Sequence, residues 1–541
     1  MKSQHEFSNV PSARIPRSSF NLSHPHKTTF DADYLVPICQ PIDIIPGDTF
    51  NCKTSFFIRL NTMLRPILDN LRFDTFAFFV PYRLLWANHE KFHGAQDDPG
   101  DSIDFTVPIV AGGTANTGEA SLWDYFGLPL DNKSGAHIDP DDVTVSALPF
   151  RAYALIWNEW FRDENLQDSL LVDTDDGPDT LSATGVGSNV VLGQPVKRGK
   201  RHDYLTSCLP WPQKGTAVSL PLGTSAPVVP ETTSTSPTFD NTGGDAPITI
   251  GANSSQDIVT DDTIVSGTYQ DFYWEDPGLE ADLTNATASS INDIRLAFQT
   301  QRLLERDARS GTRYVESLLA HWGVRSPDFR LQRPEFLGGG SSVVQLSPVL
   351  QQNAQTTPAE DDKLGNMAAN GIVAGTHSWT KSFVEHGVVI ILGNVRGDIT
   401  YSQGIDRYWS KQTRYDFYYP VLAGIGEQSV LNGEIWTQGD ANDDLVFGYQ
   451  ERYAEYRFLN GKLTGLMNVD AASNLASWHL SEDFTSLPTL GDTFIQANTG
   501  TPLDRAIAVP TQPQFLADFY HEIKAARPLP LYGVPGNLDH F

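Results

Sequence analysis

From residue 215 to residue 294 the chain contains no Lys or Arg. The same stretch carries twelve acids: Glu231, Asp240, Asp245, Asp257, Asp261, Asp262, Asp271, Glu275, Asp276, Glu280, Asp282 and Asp293. It is rich in Thr, Ser, Gly, Pro and Asn, as in "VVPETTSTSPTFDNTGGDAPITIGANSSQD". A segment like this cannot bury enough apolar surface to offset the entropy of ordering a core. It must leave the main body as a long excursion, with the rest of the chain folding around its base. Small apolar clusters inside it ("APITIG", "DTIVSG", "DFYWED") predict short strands and an aromatic anchor. Long structured loops commonly carry binding function. Thr238, Phe239, Asp240, Asp257, Asp261, Asp262, Tyr273 and Trp274 are therefore candidate partner-contact residues. The plainer alternative is an insertion that is simply solvated.

The cations lie on either side of this tract. The segment "VKRGKRHDYLTSCLPWPQKG" (196–215) holds Lys197, Arg198, Lys200, Arg201 and Lys214 against Asp203 alone, with Tyr204 and Trp211 among them. The first thirty residues hold Lys2, Arg14, Arg17 and Lys27 against Glu6. The chain as a whole has 38 basic and 66 acidic residues, a net charge of −28, so it repels nucleic acid unless its charge is sorted between surfaces. Cations mixed with aromatics suit phosphates and stacked bases. From charge alone, Arg14, Arg17, Lys27, Lys197, Arg198, Lys200 and Arg201 are candidate DNA contacts. The competing reading is that these groups pair with the chain's own surplus carboxylates.

Following the tract, "SSINDIRLAFQTQRLLERDARSGTRYVESLLAHWG" predicts a helix, with Ser290 and Asp293 spaced as a capping box. Arg295, Arg302, Arg306, Arg309 and Arg313 fall within an arc of roughly 60° if that helix continues past Gly311.

The rest predicts β-structure with long connections. In "DTFNCKTSFFIRL", Phe50, Cys52, Thr54, Phe56, Ile58 and Leu60 alternate with mostly polar neighbours, as in a strand with one buried face. "LRFDTFAFFVP" (71–81) is apolar on both parities near its end, as in a strand covered on both sides. "SFVEHGVVIILGNV" (382–395) and "LVFGYQERYAEYRF" (445–458) read as strands too, and "RYDFYYP" (414–420) and the tail from 527 as extended segments. "LGGGSS" (337–342) reads as a flexible turn. "ALPFRAYALIWNEWFRDENL" (147–166) predicts a helix, with Phe150, Tyr153, Trp157, Trp160 and Phe161 as core or interface anchors. The fold class expected is mainly β: a single eight-stranded antiparallel jelly roll with long loop insertions and a few α-helices. The expected segments are an N-terminal arm (1–45), the first part of the jelly roll with a helical insertion (46–214), the acidic insertion (215–290), and a helical segment with the remaining jelly roll (291–541).

One pentad argues for chemistry. His89-Glu90-Lys91-Phe92-His93 spells H-E-x-x-H, which on a helix places two zinc ligands on one face beside a general base. A zinc-dependent hydrolase is the alternative function it supports. Gly94 and the run Asp97-Asp98-Pro99-Gly100 break the chain at once, and no third ligand is spelled nearby, so no metal, cofactor or catalytic residue is expected. Cys39, Cys52 and Cys208 have no metal or redox spacing and fit a reducing compartment. The N-terminus has no apolar signal region, and apolar runs such as 388–392 are far too short to cross a bilayer, so no membrane insertion is expected.

Several stretches together resemble a known family. They are "SARIPRSSFNLSHPHKTTFDADYLVPI" with "PGDTF", "RPILDNLRFDTFAFFVPYRLLW", "HDYLTSCLPWPQKG", "RYVESLLAHWGVRSPDFRLQRPEFLGG" and "PGNLDHF". They are similar to the major capsid protein of the gokushoviruses, small single-stranded DNA phages of the microvirus group. The resemblance runs from about residue 5 to the C-terminus and spares only the acidic tract. It implies sixty copies closing an icosahedral shell around a circular single-stranded DNA genome, with other virion proteins as partners. It further implies assembly in the host bacterial cytoplasm, and an outward protrusion from the acidic insertion that contacts a host surface receptor.

Overall fold

The computed structural model describes residues 16–112, 117–130, 143–185, 187, 189–216, 218, 291–309, 314–323, 332–352 and 365–532, with the backbone of six short strands between 228 and 281. The chain divides into two compact units, Met1–Pro212 with Arg325–Phe541, and Gln213–Val324. The second unit thus includes the helices after the acidic tract, which the sequence segmentation grouped with the remaining jelly roll.

Beside a small four-stranded sheet (Ile109–Ala111, Thr144–Ser146, Asp179–Ser182, Val190–Leu192) and a two-stranded one (Glu427–Leu431, Val446–Glu451), the first unit holds a β-sandwich. In chain order its strands are β1 (Ser18–Asn21), β2 (His24–Phe30), β3 (Val36–Pro37), β4 (Ile42–Ile44), β5 (Thr49–Met63), β6 (Leu71–Pro81), β7 (Glu335–Val343), β8 (Gln345–Leu350), β9 (Met367–Ser382), β10 (Gly387–Gly397) and β11 (Phe515–Arg527). One sheet runs β1-β11-β5-β9-β8, with β2 also on β11. The other runs β7-β6-β10-β3, with β4 also on β10. Every pairing within these two sheets is antiparallel. Leaving out the short β1, β3 and β4, eight principal strands remain, and the mainly β, jelly-roll class holds.

The alternation in β5 does what it predicts. Phe50, Cys52, Thr54, Phe56, Ile58 and Leu60 are buried, while Asn51, Lys53, Phe57 and Arg59 are exposed. Phe56 meets Phe73 of β6 edge-on at 4.9 Å, which locks the two sheets face to face. Both β6 and β10 are covered on both faces. Phe73, Phe79, Val389 and Ile391 enter the core between the sheets, whereas Phe78, Val80, Val388 and Ile390 enter a second core outside it. That second core is sealed by helix α2 (Leu148–Trp160) through Phe150, Tyr153, Ile156 and Trp157. Trp160, at the helix end, remains 38% exposed.

Three expectations are corrected. "LGGGSS" is not a flexible turn but part of β7, paired with β6 across a bulge between Phe336 and Gly338. Its glycines are there for close approach: a Cβ on Gly339 would sit 2.0 Å from the Thr75 carbonyl oxygen. After the acidic tract the described helices are α3 (Ile291–Arg309), which carries Arg295, Arg302, Arg306 and Arg309, and α4 (Tyr314–Trp322); Arg313, the fifth arginine expected on that face, lies outside the described residues. In 445–458 the strand stops at Glu451, because Tyr453 adopts a left-handed φ of 64° that turns the chain into a 3-10 turn at Ala454–Tyr456. "RYDFYYP" is likewise a pair of 3-10 turns, Arg414–Asp416 and Pro420–Leu422, the first closed by the Asp416 carboxylate accepting from the Thr413 amide at 2.7 Å. Residues 533–541 of the expected extended tail lie outside the described residues.

Within the second unit, Thr238–Asn241 pairs with Phe272–Asp276 and with Ile248–Ala252, which pairs in turn with Ile258–Thr260. Helices α3 and α4 belong to the same unit, and Arg295, Arg302, Arg306 and Arg309 of α3 are all exposed.

Candidate nucleic-acid interface

The candidate DNA contacts separate onto opposite faces of the sandwich. Lys27 is exposed on the outer face of the six-stranded sheet, since its strand turns Phe30 inward and the opposite parity outward. Arg17 is exposed just before β1 at the edge of that sheet. Residues 197–201 lie on the other side, where Phe76 and Phe78 of β6 point away from the core between the sheets. Arg14 lies outside the described residues.

Residues 196–201 are threaded between two other segments by backbone hydrogen bonds. Leu35 donates to Val196, Arg198 to Asp33, Lys200 to Ile495 and Ala497 to Arg198. Arg198, Lys200 and Arg201 line a cavity of about 630 Å³ formed with Phe76, Phe78, Trp160, Phe161 and Arg396. Arg198 donates to Asp74 at 2.7 Å and lies 4.8 Å over the Phe76 ring. Arg201 pairs with Asp398 at 3.1 Å. Lys200 is buried, with Nζ 2.9 Å from Glu482 and 4.3 Å from the Phe494 ring centre. Lys197 has an aromatic partner instead, its Nζ lying 5.4 Å from the Tyr34 ring. Burial, reinforced by Arg198 and Arg201, pushes Arg396 down to about 9. Arg198, Lys200 and Arg201 are therefore occupied as structural cations, in line with the competing reading from sequence.

The outer face of the six-stranded sheet differs. Apolar side chains and α2 cover the corresponding face of the other sheet, but here no element among the described residues covers the surface. Lys27, Lys53, Arg59 and Lys524 stand on it against Asp518 and Glu522, four cations to two carboxylates. Lys524 lies 3.3 Å from Glu522, whereas no ion pair within 4.0 Å engages Lys27, Lys53 or Arg59 among the described residues. Phe57, 39% exposed, and Tyr520, 51% exposed, stand diagonally across β5 and β11, and Arg59 lies 5.1 Å over the Phe57 ring. Flat aromatics flanked by cations on an open sheet form a platform for bases and phosphates. Sequence reasoning missed Lys53, Phe57 and Arg59 although they occupy the polar parity of a recognised strand.

The candidate partner contacts are partly gathered. Strand register sets Phe239 opposite Trp274, Asp240 opposite Tyr273 and Thr238 opposite Asp276. Asp257, Asp261 and Asp262 lie outside the described residues. The H-E-x-x-H pentad forms a single turn, α1 (His89–Phe92), and the third histidine absent from its sequence neighbourhood is supplied from far along the chain by His386. Among the described residues, no helix is long and apolar enough to cross a membrane.

A sandwich with an ornamented face, a bare basic face and a large separate insertion is the construction of a coat-forming protein. The chain belongs to the capsid protein (F protein) family, which matches residues 8–537. It is 42% identical to capsid protein VP1 of Bdellovibrio phage phiMH2K, an alignment covering 99% of this chain and 98% of that one. It is 40% identical to capsid protein VP1 of Chlamydia phage 1, covering 98% of each chain. To capsid protein VP1 of Spiroplasma virus 4 it is 35% identical, over 98% of this chain and 97% of the other. These are gokushovirus proteins, so the resemblance drawn from the sequence is right. The chain is a structural virion component that assembles into oligomers, and the hydrolase alternative is set aside.

Proposed function

We propose that this chain is the major coat subunit, sixty copies of which close an icosahedral shell around circular single-stranded DNA. The bare face of the six-stranded sheet lines the interior, and Lys27, Lys53, Arg59, Lys524, Phe57 and Tyr520 hold the genome. The observation that supports this reading is a net-positive, aromatic-bearing face on a chain whose overall charge is −28. That charge would otherwise oppose packing DNA. The acidic insertion (215–290) serves as the shell's outward protrusion and engages a host receptor, using the paired strands that carry Phe239, Asp240, Tyr273 and Trp274. Assembly takes place in the bacterial cytoplasm with other virion proteins. Electron microscopy of particles from infected cells, with the nuclease-protected nucleic acid sequenced, tests the reading. Uniform shells containing circular single-stranded DNA are expected. Shells of another symmetry, or a duplex genome, would overturn it.

A further inference from the structure

The histidines of the pentad acquire a partner only in the fold. His89 opens α1 and His93, one helical turn on, caps its C-terminus, while His386 precedes β10 at the end of the β9–β10 turn. Its carbonyl accepts from the Tyr82 amide at 3.2 Å, which fastens that turn beside the chain entering α1. Each imidazole offers one ring nitrogen, and the three nitrogens lie within 4.8 Å of one another. We propose that His89, His93 and His386 form a binding site for a divalent transition-metal ion of the zinc class, clipping α1 to the β9–β10 turn.

Ligand chemistry and burial support this assignment. Neutral imidazole suits a borderline-soft ion, and three protein nitrogens with one further position is an established zinc arrangement. His89 is buried, with the Tyr82 and Trp86 rings edge-on to it at 5.7 and 6.1 Å, so its ring is held in place. The chain segments that carry these histidines also hold charged partners: Asp43 accepts from the Tyr82 hydroxyl at 2.8 Å, and Arg83 pairs with Glu385 at 2.8 Å.

The geometry also shows what binding must change. The rings of His93 and His386 are stacked at 4.3 Å and 9°, so their in-plane lone pairs cannot meet at one ion. In a tetrahedral site with bonds of about 2.0–2.1 Å the nitrogens stand roughly 3.3 Å apart. His93 is exposed and can rotate out of the stack to close that gap, while buried His89 stays in place. The site is therefore closed by the ion, which holds α1 onto the sandwich.

The test uses purified particles stripped with chelator, dialysed against Zn²⁺ or Co²⁺, and assayed for retained metal and for the visible absorption of tetrahedral Co²⁺. One ion per chain is expected. His93→Ala and His386→Ala should each weaken retention by more than about tenfold, while His321→Ala, elsewhere in the chain, leaves it unchanged. If a substituted chain fails to assemble, carbethoxylation of wild-type particles gives the answer: Zn²⁺ should shield His93 and His386 selectively. Absence of retained metal, retention untouched by either substitution, or no selective shielding would each overturn the site.

Discussion

The guanidinium of Arg151 and the carboxylate of Asp179 meet in two parallel hydrogen bonds of 2.8 Å, with both side chains wholly buried. Arg151 lies on α2, so this pair helps tie the helix covering the second core to the strand Asp179–Ser182. The same guanidinium donates to the carbonyls of Leu85 and Asp175 at 3.0 and 2.9 Å. Removing Asp179 leaves the buried guanidinium with only the half-exposed Asp175 carboxylate, 3.2 Å away, as counter-ion. Asp179→Ala should therefore cost about 3–5 kcal/mol in urea unfolding of the purified chain. Arg151→Met combined with Asp179→Leu should recover part of that loss but not all, because the Leu85 and Asp175 carbonyls still lack a donor.

Strand β7 can be tested at one atom. The Thr75 carbonyl lies where a Cβ on Gly339 would be, and it belongs to backbone held by the β6–β10 ladder, so it cannot swing aside. Gly339→Ala should cost about 3 kcal/mol or more and sharply reduce particle yield. Gly365→Ala, where φ is +86° but nothing lies within 4 Å, should cost only about 1 kcal/mol. Equal yields from the two would show that close approach is not the constraint at 339.

The contrast between these two strands explains what could be read from sequence. In β5 one residue type per parity reports one environment per face, so the strand and its buried set were legible. In β7 the glycines report only a neighbouring backbone, which no local pattern encodes, and turn and close approach spell alike. The charge-based DNA set meets a related limit. A cation in sequence does not disclose the distant carboxylate that meets it, as Asp74 meets Arg198 and Glu482 meets Lys200. His386 was invisible beside His89 and His93 because almost three hundred residues separate them.

Stability should fall in mild acid. His521 is fully buried, with Nδ1 3.0 Å from the Thr54 hydroxyl and Nε2 2.8 Å from the Ile38 carbonyl, which fits a neutral ring donating through Nε2. Burial, the largest cause, holds it down at about 4, against an ordinary value of 6.5. The unfolded chain takes up the proton first, so stability is full above about pH 6.5 and declines as pH falls toward 4. The limit is about 3 kcal/mol from this residue. Melting temperature measured from pH 7 to pH 4 should drop through that window, and His521→Gln should start lower but decline less steeply.

Host choice should follow the second unit. The strands bearing Phe239 and Trp274 pair within that unit, so the proposed attachment tract can be exchanged without rebuilding the sandwich. Replacing 225–285 with the corresponding tract of a relative should preserve shell assembly and transfer cell binding. Assembly failure, or unchanged binding, would separate attachment from this tract.

The proposed lining makes the last prediction the most direct. Lys27, Lys53 and Arg59 are exposed and lack carboxylate partners within 4.0 Å among the described residues, so replacing them removes no internal support. Lys27→Gln, Lys53→Gln and Arg59→Gln combined should leave shell yield within about twofold, since surface substitutions away from buried contacts usually change stability by under about 0.5 kcal/mol each. Packaged DNA should fall more steeply than shell yield, and the remaining DNA should leave opened particles at lower salt, because three phosphate contacts and their released counter-ions are lost. Arg198→Gln should behave oppositely: it strands Asp74 in a half-dry site, so particle yield falls while DNA per surviving particle holds. A triple variant that packages normally would mean that the genome rests on some other surface.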